Sequence, residues 1–335
     1  MVAHAFSDAV IADGATYWQK YQEASGTTFV DSVAGLTATA VGAGITAAAA
    51  GPGAAAPWDK AVSSTGAASY LSTPDNALFS VGLGAAGRSM SFETIRSVSR
   101  FDPTLNWLFA KSGNGSNYEH WCYLTTAGAL DWGVALDGNA VNYIDVRSAD
   151  SLISLNTWFH AVFTVEMKPG ASPTRAYVYL NGVQVAGPGT PTTPGNSFGG
   201  DENSPWLSGY RGDNTYNPYA GKIAADLVYP TALSGAQALA HYNAWQADLA
   251  GPPPWTLTPG RTYDVSAAKL NTKYTSTGGL GLYNKWYADY VVAAGYNWSK
   301  LRAFYAAQLT ANSISYATNA HVADLAALYW GYVTL

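Results

Sequence analysis

Two stretches decide the fold: Phe159-His-Ala-Val-Phe-Thr-Val165 and Ala176-Tyr-Val-Tyr-Leu-Asn-Gly-Val-Gln-Val185. In the first, Phe159, Ala161, Phe163 and Val165 alternate with His160, Val162 and Thr164, the period of a strand with at least one face in a core. In the second, Asn181-Gly182 separates two β-type runs, and this pair is preferred where both turn residues need positive φ, so it predicts a hairpin. The same grammar extends outward from about residue 70 to 229. Runs such as Trp107-Leu-Phe-Ala110, Trp132-Gly-Val-Ala-Leu136 and Ile144-Asp-Val146 are bounded by Gly, Asn, Asp and Pro, and no helix-period segment interrupts them. That spacing predicts an antiparallel sandwich or barrel.

Helical signals begin at Leu233, where Ser234 can cap a segment running through Ala236, Leu239, Tyr242 and Trp245 to about Leu249. Gly251-Pro-Pro-Pro254 then imposes extended geometry and marks a boundary. Beyond it, apolar stripes at Leu282/Trp286/Tyr290, Leu301/Phe304/Tyr305/Leu309 and Val322/Leu325/Leu328/Tyr329 have helical spacing. The expected organisation is a β domain over 1–249, a Pro-rich linker over 250–258 and a small helical module over 259–335. The Ala/Gly/Thr-rich segment from Ala34 to Ala56 reads as a loop-rich surface segment, too weakly apolar to span a bilayer.

Of the 335 residues only 12% are charged, whereas 13% are aromatic and 34 are glycine, which argues against disorder and coiled coil. Lys and Arg number 17 against 22 Asp and Glu, a net charge of −5 with no basic run. This excludes the electrostatic footprint of a nucleic-acid or anionic-membrane partner. The single Cys122 can make neither an internal disulfide nor a zinc cluster. Met1 to Asp13 lacks the basic start and unbroken apolar core of an export signal.

Four motifs then occur in order. Tyr17-Trp18 is followed by Glu23, Ser25-Gly-Thr27 and Asp31-Ser32. Ala61-Val62, Gly66 and Ser69-Tyr-Leu71 come next, with Pro74. Asn156-Thr-Trp-Phe-His160 and Tyr179-Leu-Asn-Gly-Val183 form the middle. Gly221-Lys-Ile223, Tyr229, Ala232-Leu-Ser234, Gln237 and His241-Tyr242 close the series. Together they resemble the laminin-G-like, concanavalin A-like jelly-roll family over about the first 247 residues. The resemblance implies two antiparallel sheets packed face to face, with ligands met at rim loops or on a concave face.

The family's calcium chemistry points to Asp31 and, in the closing strand, Asp226 as candidate ligands. Alanines occupy the two closing-strand positions where acids are common, and Asp226 comes one place later, a shift that turns a strand side chain to the other face. A sugar-binding rim is expected where carboxylates, amides and rings cluster: Asp201, Glu202, Asn203, Trp206, Arg211, Asp213, Asn214 and Tyr216. The same residues could instead build a long loop or a subunit contact. Glycoside hydrolysis needs two carboxylates flanking one bond. No glutamate lies two or four residues from another acid on a strand, so no catalytic residue is assigned. His160 and His241 read as packed histidines beside aromatic rings.

The Ala/Gly/Thr-rich composition and the fusion of such a domain to a short module resemble minor tail proteins of phages infecting high-GC Gram-positive bacteria. The resemblance implies a non-enzymatic virion component, assembled in the host cytoplasm and released by lysis. Its partners would be other tail proteins, sister chains in a trimer and a host cell-wall glycan. Trp286, Tyr287, Trp298, Trp330 and Tyr332 are the candidate assembly contacts. A carbohydrate-binding module of a bacterial surface protein is the second reading, and a glycan hydrolase the third.

Overall fold

The computed structural model describes residues 5–54, 57–66, 69–81, 88–103, 105–112, 118–135, 143–167, 175–189, 203–210 and 219–250. The chain divides into two compact units, Ala9–Leu249 and a second made of Met1–Asp8 with Ala250–Leu335. The helical stripes expected beyond Pro254 lie outside the described residues.

The elements follow in chain order: α1 (Ala5–Ala12), β1 (Tyr17–Gln19), β2 (Thr28–Val30), β3 (Thr37–Val41), β4 (Ile45–Ala50), β5 (Lys60–Thr65), β6 (Tyr70–Thr73), a 3-10 turn at Ala77–Phe79, β7 (Met90–Val98), β8 (Leu105–Ser112), β9 (Tyr118–Thr125), β10 (Leu130–Ala135), β11 (Tyr143–Arg147), β12 (Trp158–Glu166), β13 (Arg175–Leu180), β14 (Val183–Gly189), β15 (Trp206–Ser208), β16 (Ala220–Tyr229) and α2 (Gly235–Ala250). Sheet A runs β14-β13-β12-β7-β16-β5-β4, with β1 also paired to β16, and sheet B runs β11-β10-β9-β8-β15-β6-β3-β2. All pairings are antiparallel. The jelly-roll sandwich inferred from the motifs is therefore the observed fold.

The alternation at Phe159 to Val165 does what its period requires. Phe159, Ala161, Phe163 and Val165 enter the core between the sheets. Asn181 and Gly182 take φ of 50° and 78° and join β13 to β14. Ser234 and Gln237 cap α2 reciprocally, Gln237 Oε1 accepting from Ser234 N at 2.9 Å and Ser234 Oγ from Gln237 N at 3.3 Å. Within residues 34–56, however, β3 and β4 are strands rather than loop. Thr and Val suit the pleat, and β4 forms an edge whose alternate residues stay partly exposed.

The core is built of rings. Phe109 meets Phe92 at 5.3 Å, Phe163 at 5.4 Å and Trp132 at 5.9 Å, bridging the two sheets. Trp132 Nε1 also donates to the Thr164 carbonyl at 3.2 Å, which satisfies the buried indole.

A buried ion pair lies between the sheets as well. Arg96 Nη2 donates to Asp226 Oδ1 and to Ser208 Oγ, both at 2.7 Å, and so ties β7, β16 and β15 together. Asp226 reaches this interior because β16 carries an extra residue: Ile223 pairs with Arg96 but Ala225 with Ile95, leaving Ala224 as a bulge. The one-residue displacement visible in the sequence is thus cancelled, and Asp226 shares the inward face with Ile223.

On the outer face of sheet A, α2 packs over Glu93. The Glu93 carboxylate accepts from the Tyr229 hydroxyl and bonds His160 Nε2 at 2.5 Å and His241 Nδ1 at 3.0 Å. His241 Nε2 reaches Asp13 Oδ2 at 2.9 Å, just beyond α1. Burial alone would raise the Glu93 carboxyl; the charge of His241 and then the hydrogen bond and charge of His160 outweigh it, holding Glu93 well below the usual carboxylate range. Burial alone would lower His241, but Glu93 and then Asp13 hold it above its usual value. Both histidines do lie beside rings, His160 6.2 Å from Trp245 and His241 5.7 Å from Tyr229, and they also anchor the helix.

Candidate functional site

The outer face of sheet B is where polar and aromatic side chains converge. Inward positions on β9, β10 and β11 are filled by Cys122, Leu124, Trp132, Val134, Ile144 and Val146. The alternating positions Trp121, Tyr123, Asp131, Gly133, Tyr143, Asp145 and Arg147 therefore point the other way. Their registers place them in rows across the strands. Trp107 stands opposite Tyr123, Tyr123 opposite Asp131 and Asp131 opposite Arg147. In the next row Ala110 faces Trp121, Trp121 faces Gly133 and Gly133 faces Asp145.

The rings are arranged by contact. Trp107 lies 5.0 Å from Tyr123 at 58°, and Trp121 lies 5.9 Å from Tyr143 at the same tilt. Trp121 lies across Gly133 so closely that a β-carbon there would overlap Cε2 and Cζ2 of the indole. Glycine is thus what lets the indole lie down on the sheet. Trp121, Tyr123 and Tyr143 remain partly exposed, whereas Trp107 is buried.

Asp131 is the electrostatic centre of this face. It is 4% exposed and its Oδ1 has no hydrogen-bond partner. Burial first, and then the hydrogen bond and charge of Asp145, raise its carboxyl to about 8, against the opposing pull of Tyr123 and Arg147. Asp131 therefore keeps its proton to a higher pH than an ordinary aspartate. Arg147 is held outward by Asp150, 2.8 Å away. Flat rings beside hydrogen-bonding groups suit a sugar, whose C–H faces stack while its hydroxyls bond.

The residues expected from sequence fall elsewhere. Trp206 does not line a rim: it is 1% exposed, stacked on Phe79 at 5.0 Å and 4° and edge-on to Tyr17 at 5.6 Å. Its position on β15, with inward-facing alternation, makes it core. Asn203 is exposed just before β15. Asp201, Glu202, Arg211, Asp213, Asn214 and Tyr216 lie outside the described residues, as do Trp286, Tyr287, Trp298, Trp330 and Tyr332.

Asp31 and Asp226 do not fit calcium. Asp31 Oδ1 accepts from the amides of Trp18, Val33 and Ala34 at 3.2, 2.8 and 2.9 Å, and Oδ2 from Leu36 at 2.6 Å. Asp226 Oδ1 takes Thr94 and Arg96, and Oδ2 takes Ser208 and Tyr21, all within 2.8 Å. Each carboxylate is saturated, and Asp226 already has a cation. Among the described residues no group of three or more His, Cys, Asp or Glu side chains could hold a metal ion.

Sequence reasoning missed Asp131 and Asp145 because it sought acids two or four apart on one strand. The signal available was that Leu130-Asp-Trp132 and Ile144-Asp-Val146 both put an acid opposite apolar neighbours. Only the β10–β11 register brings them together.

Comparison with known proteins supports the fold. No match exists among curated proteins. The binding domain of Paraclostridial Mosquitocidal Protein 1 is similar at TM-score 0.50 and 16% identity over 70% of this chain and 52% of that one. A botulinum neurotoxin type C structure is similar at TM-score 0.51 and 13% identity, over 71% and 53%. Domain 4 of the arabinanase AbnA from Geobacillus stearothermophilus aligns at TM-score 0.44 and 21% identity, over 68% and 98%. The chain spans about half the length of the first two. The family model for the concanavalin A-like lectin/glucanases superfamily, Laminin_G_3, matches residues 65–238, spanning β6 to β16 and the first turn of α2, and the chain belongs to that superfamily.

Proposed function

We propose that the sandwich is a non-enzymatic carbohydrate-binding domain whose ligand lies on the outer face of sheet B. The observation that carries this is the set of partly exposed rings, Trp121, Tyr123 and Tyr143, around the buried acid Asp131 and exposed Asp145 and Arg147. Both toxin structures place this fold in proteins described by binding, one a binding domain and the other dependent on two ganglioside molecules for cell entry.

A glycan array probed with the full chain tests the reading, with Trp121→Ala and Tyr123→Ala as controls. Binding by the wild type, lost in both variants at unchanged melting temperature, is the expected result. Release of reducing sugar from cell-wall polysaccharide would overturn the non-enzymatic part.

The biological setting we propose is a phage virion, as a minor tail or fibre component that offers this face to a host-envelope glycan. Support comes from composition and from the second unit, whose Trp286, Tyr287, Trp298, Trp330 and Tyr332 would join sister chains in a trimer or neighbouring tail proteins. Antibody labelling of purified particles and light-scattering mass test this; unlabelled particles or a monomer at micromolar concentration would sink it. The alternative setting, a bacterial surface protein, shares the binding face and differs only in where the antibody finds the chain.

A further inference from the structure

Trp121, Gly133 and Asp145 stand side by side on β9, β10 and β11. The indole lies over Gly133, with Cε2, Cζ2 and Nε1 nearest the position a β-carbon would take. It therefore reaches across the middle strand toward Asp145, whose backbone is one strand spacing, ~5 Å, from that of Gly133. Tyr143 precedes Asp145 by two residues on β11 and shares its face, and its ring lies 5.9 Å from the indole. Asp145 is exposed and both rings are partly exposed. An open carboxylate is thus set at the border of two aromatic rings.

The charges around this carboxylate are unequal. Arg147, the next outward residue on β11, is already answered by Asp150 at 2.8 Å. Asp131, opposite Arg147 and diagonal to Asp145, is 4% exposed, and its Oδ1 has no hydrogen-bond partner. Burial, and then the neighbouring Asp145, make Asp131 costly to ionise. A positive charge brought to Asp145 would relieve that cost. The faces of the rings beside it are negative as well, and they attract cations. A neutral hydroxyl uses the acid as an acceptor and gains nothing from this field. An ammonium uses carboxylate and ring together, with three N–H donors on a compact charge.

We infer that the sugar taken by this face is an amino sugar with a free amine, its ammonium seated between the Trp121 ring and the Asp145 carboxylate. An N-acetylated sugar brings an uncharged amide to the same place and leaves the acids unanswered. This rests on the carbohydrate reading above and narrows it to a ligand class: cationic hexosamines whose nitrogen is unsubstituted.

The experiment is calorimetric titration of the full chain at about pH 6, where the amine is protonated. The ligands are the trimers of β-1,4-glucosamine, β-1,4-N-acetylglucosamine and β-1,4-glucose. The glucosamine trimer should bind about tenfold more tightly than the other two, as one added cation–ring and carboxylate contact requires. In Asp145→Asn that ratio should fall to about one, whatever the absolute affinities, and Asp145→Glu should keep it. Asp145 is exposed, so both variants should fold as the wild type does. A wild-type ratio near one, a preference for the acetylated or neutral trimer, or a preference for the amine that survives in Asp145→Asn overturns the inference but leaves carbohydrate binding standing. So does binding of array glycans but of none of the three trimers. Binding of no trimer and no array glycan overturns both.

Discussion

Trp121 and Gly133 occupy the same space above sheet B: the indole lies where a β-carbon on residue 133 would be. Gly133→Ala must therefore displace the ring. The expected cost is about 1–3 kcal/mol from overpacking. Glycan binding should fall with it, because Trp121 no longer lies flat. A crystal structure of the variant with the indole unmoved would contradict this.

Asp131→Asn should stabilise the protein in a pH-dependent way. A carboxyl raised to about 8 keeps its full contribution only below the ordinary value near 3.8 and loses it as pH rises through about 8. The advantage of the amide variant should therefore grow across that window and then level off, reaching about 2 kcal/mol. Urea melts at intervals of pH would show it; a constant difference would mean that Asp131 is ionised throughout.

The Glu93 and His241 pair predicts two opposite limbs. Glu93, held low, contributes stability above the usual carboxylate range and loses it as pH falls below that range. His241, held high, contributes fully below its usual ~6.5 and loses it as pH rises through its folded value. In an Asp131→Asn background, melting temperature should peak between these limits. His241→Ala should remove the alkaline limb. Glu93→Ala, which leaves two buried histidines without their carboxylate, should cost about 3–5 kcal/mol.

Asp226 and Arg96 should behave as a structural pair rather than a metal site. Asp226→Ala strands a fully buried guanidinium and should cost about 3–5 kcal/mol. Millimolar calcium or a chelator should leave the melting temperature unchanged. A calcium-dependent rise would show that the carboxylates exchange their present partners for the ion.

Trp206→Ala should unfold or nearly unfold the sandwich, with a loss of about 3–5 kcal/mol measured by chemical denaturation. A well-folded variant deficient only in sugar binding would return Trp206 to a rim.

Much of this molecule could be read from local pattern. Phe159 to Val165 declared its buried face by period alone, and Asn181-Gly182 declared its turn by chemistry alone. The Ala-rich β4 could not be read that way, since alanine supports helix, strand and loop nearly alike and its edge position leaves little burial to betray it. Asp226 was misplaced by one residue because a bulge at Ala224 leaves no mark in an alternating run of small residues. Trp206 was misassigned since a ring flanked by Ser, Pro and Asn looks exposed until its strand is known. The acid pair on sheet B depended on strand register, which belongs to the whole sheet and to no single segment.

His241 joins Asp13 to Glu93, so the first and last helices of the sandwich are fastened to one patch of sheet A. The polypeptide enters and leaves from the back of a plate whose front is the ring-lined face. Insertion between other sequences, or rejoining these ends and reopening the chain elsewhere, would therefore act on the face opposite the rings.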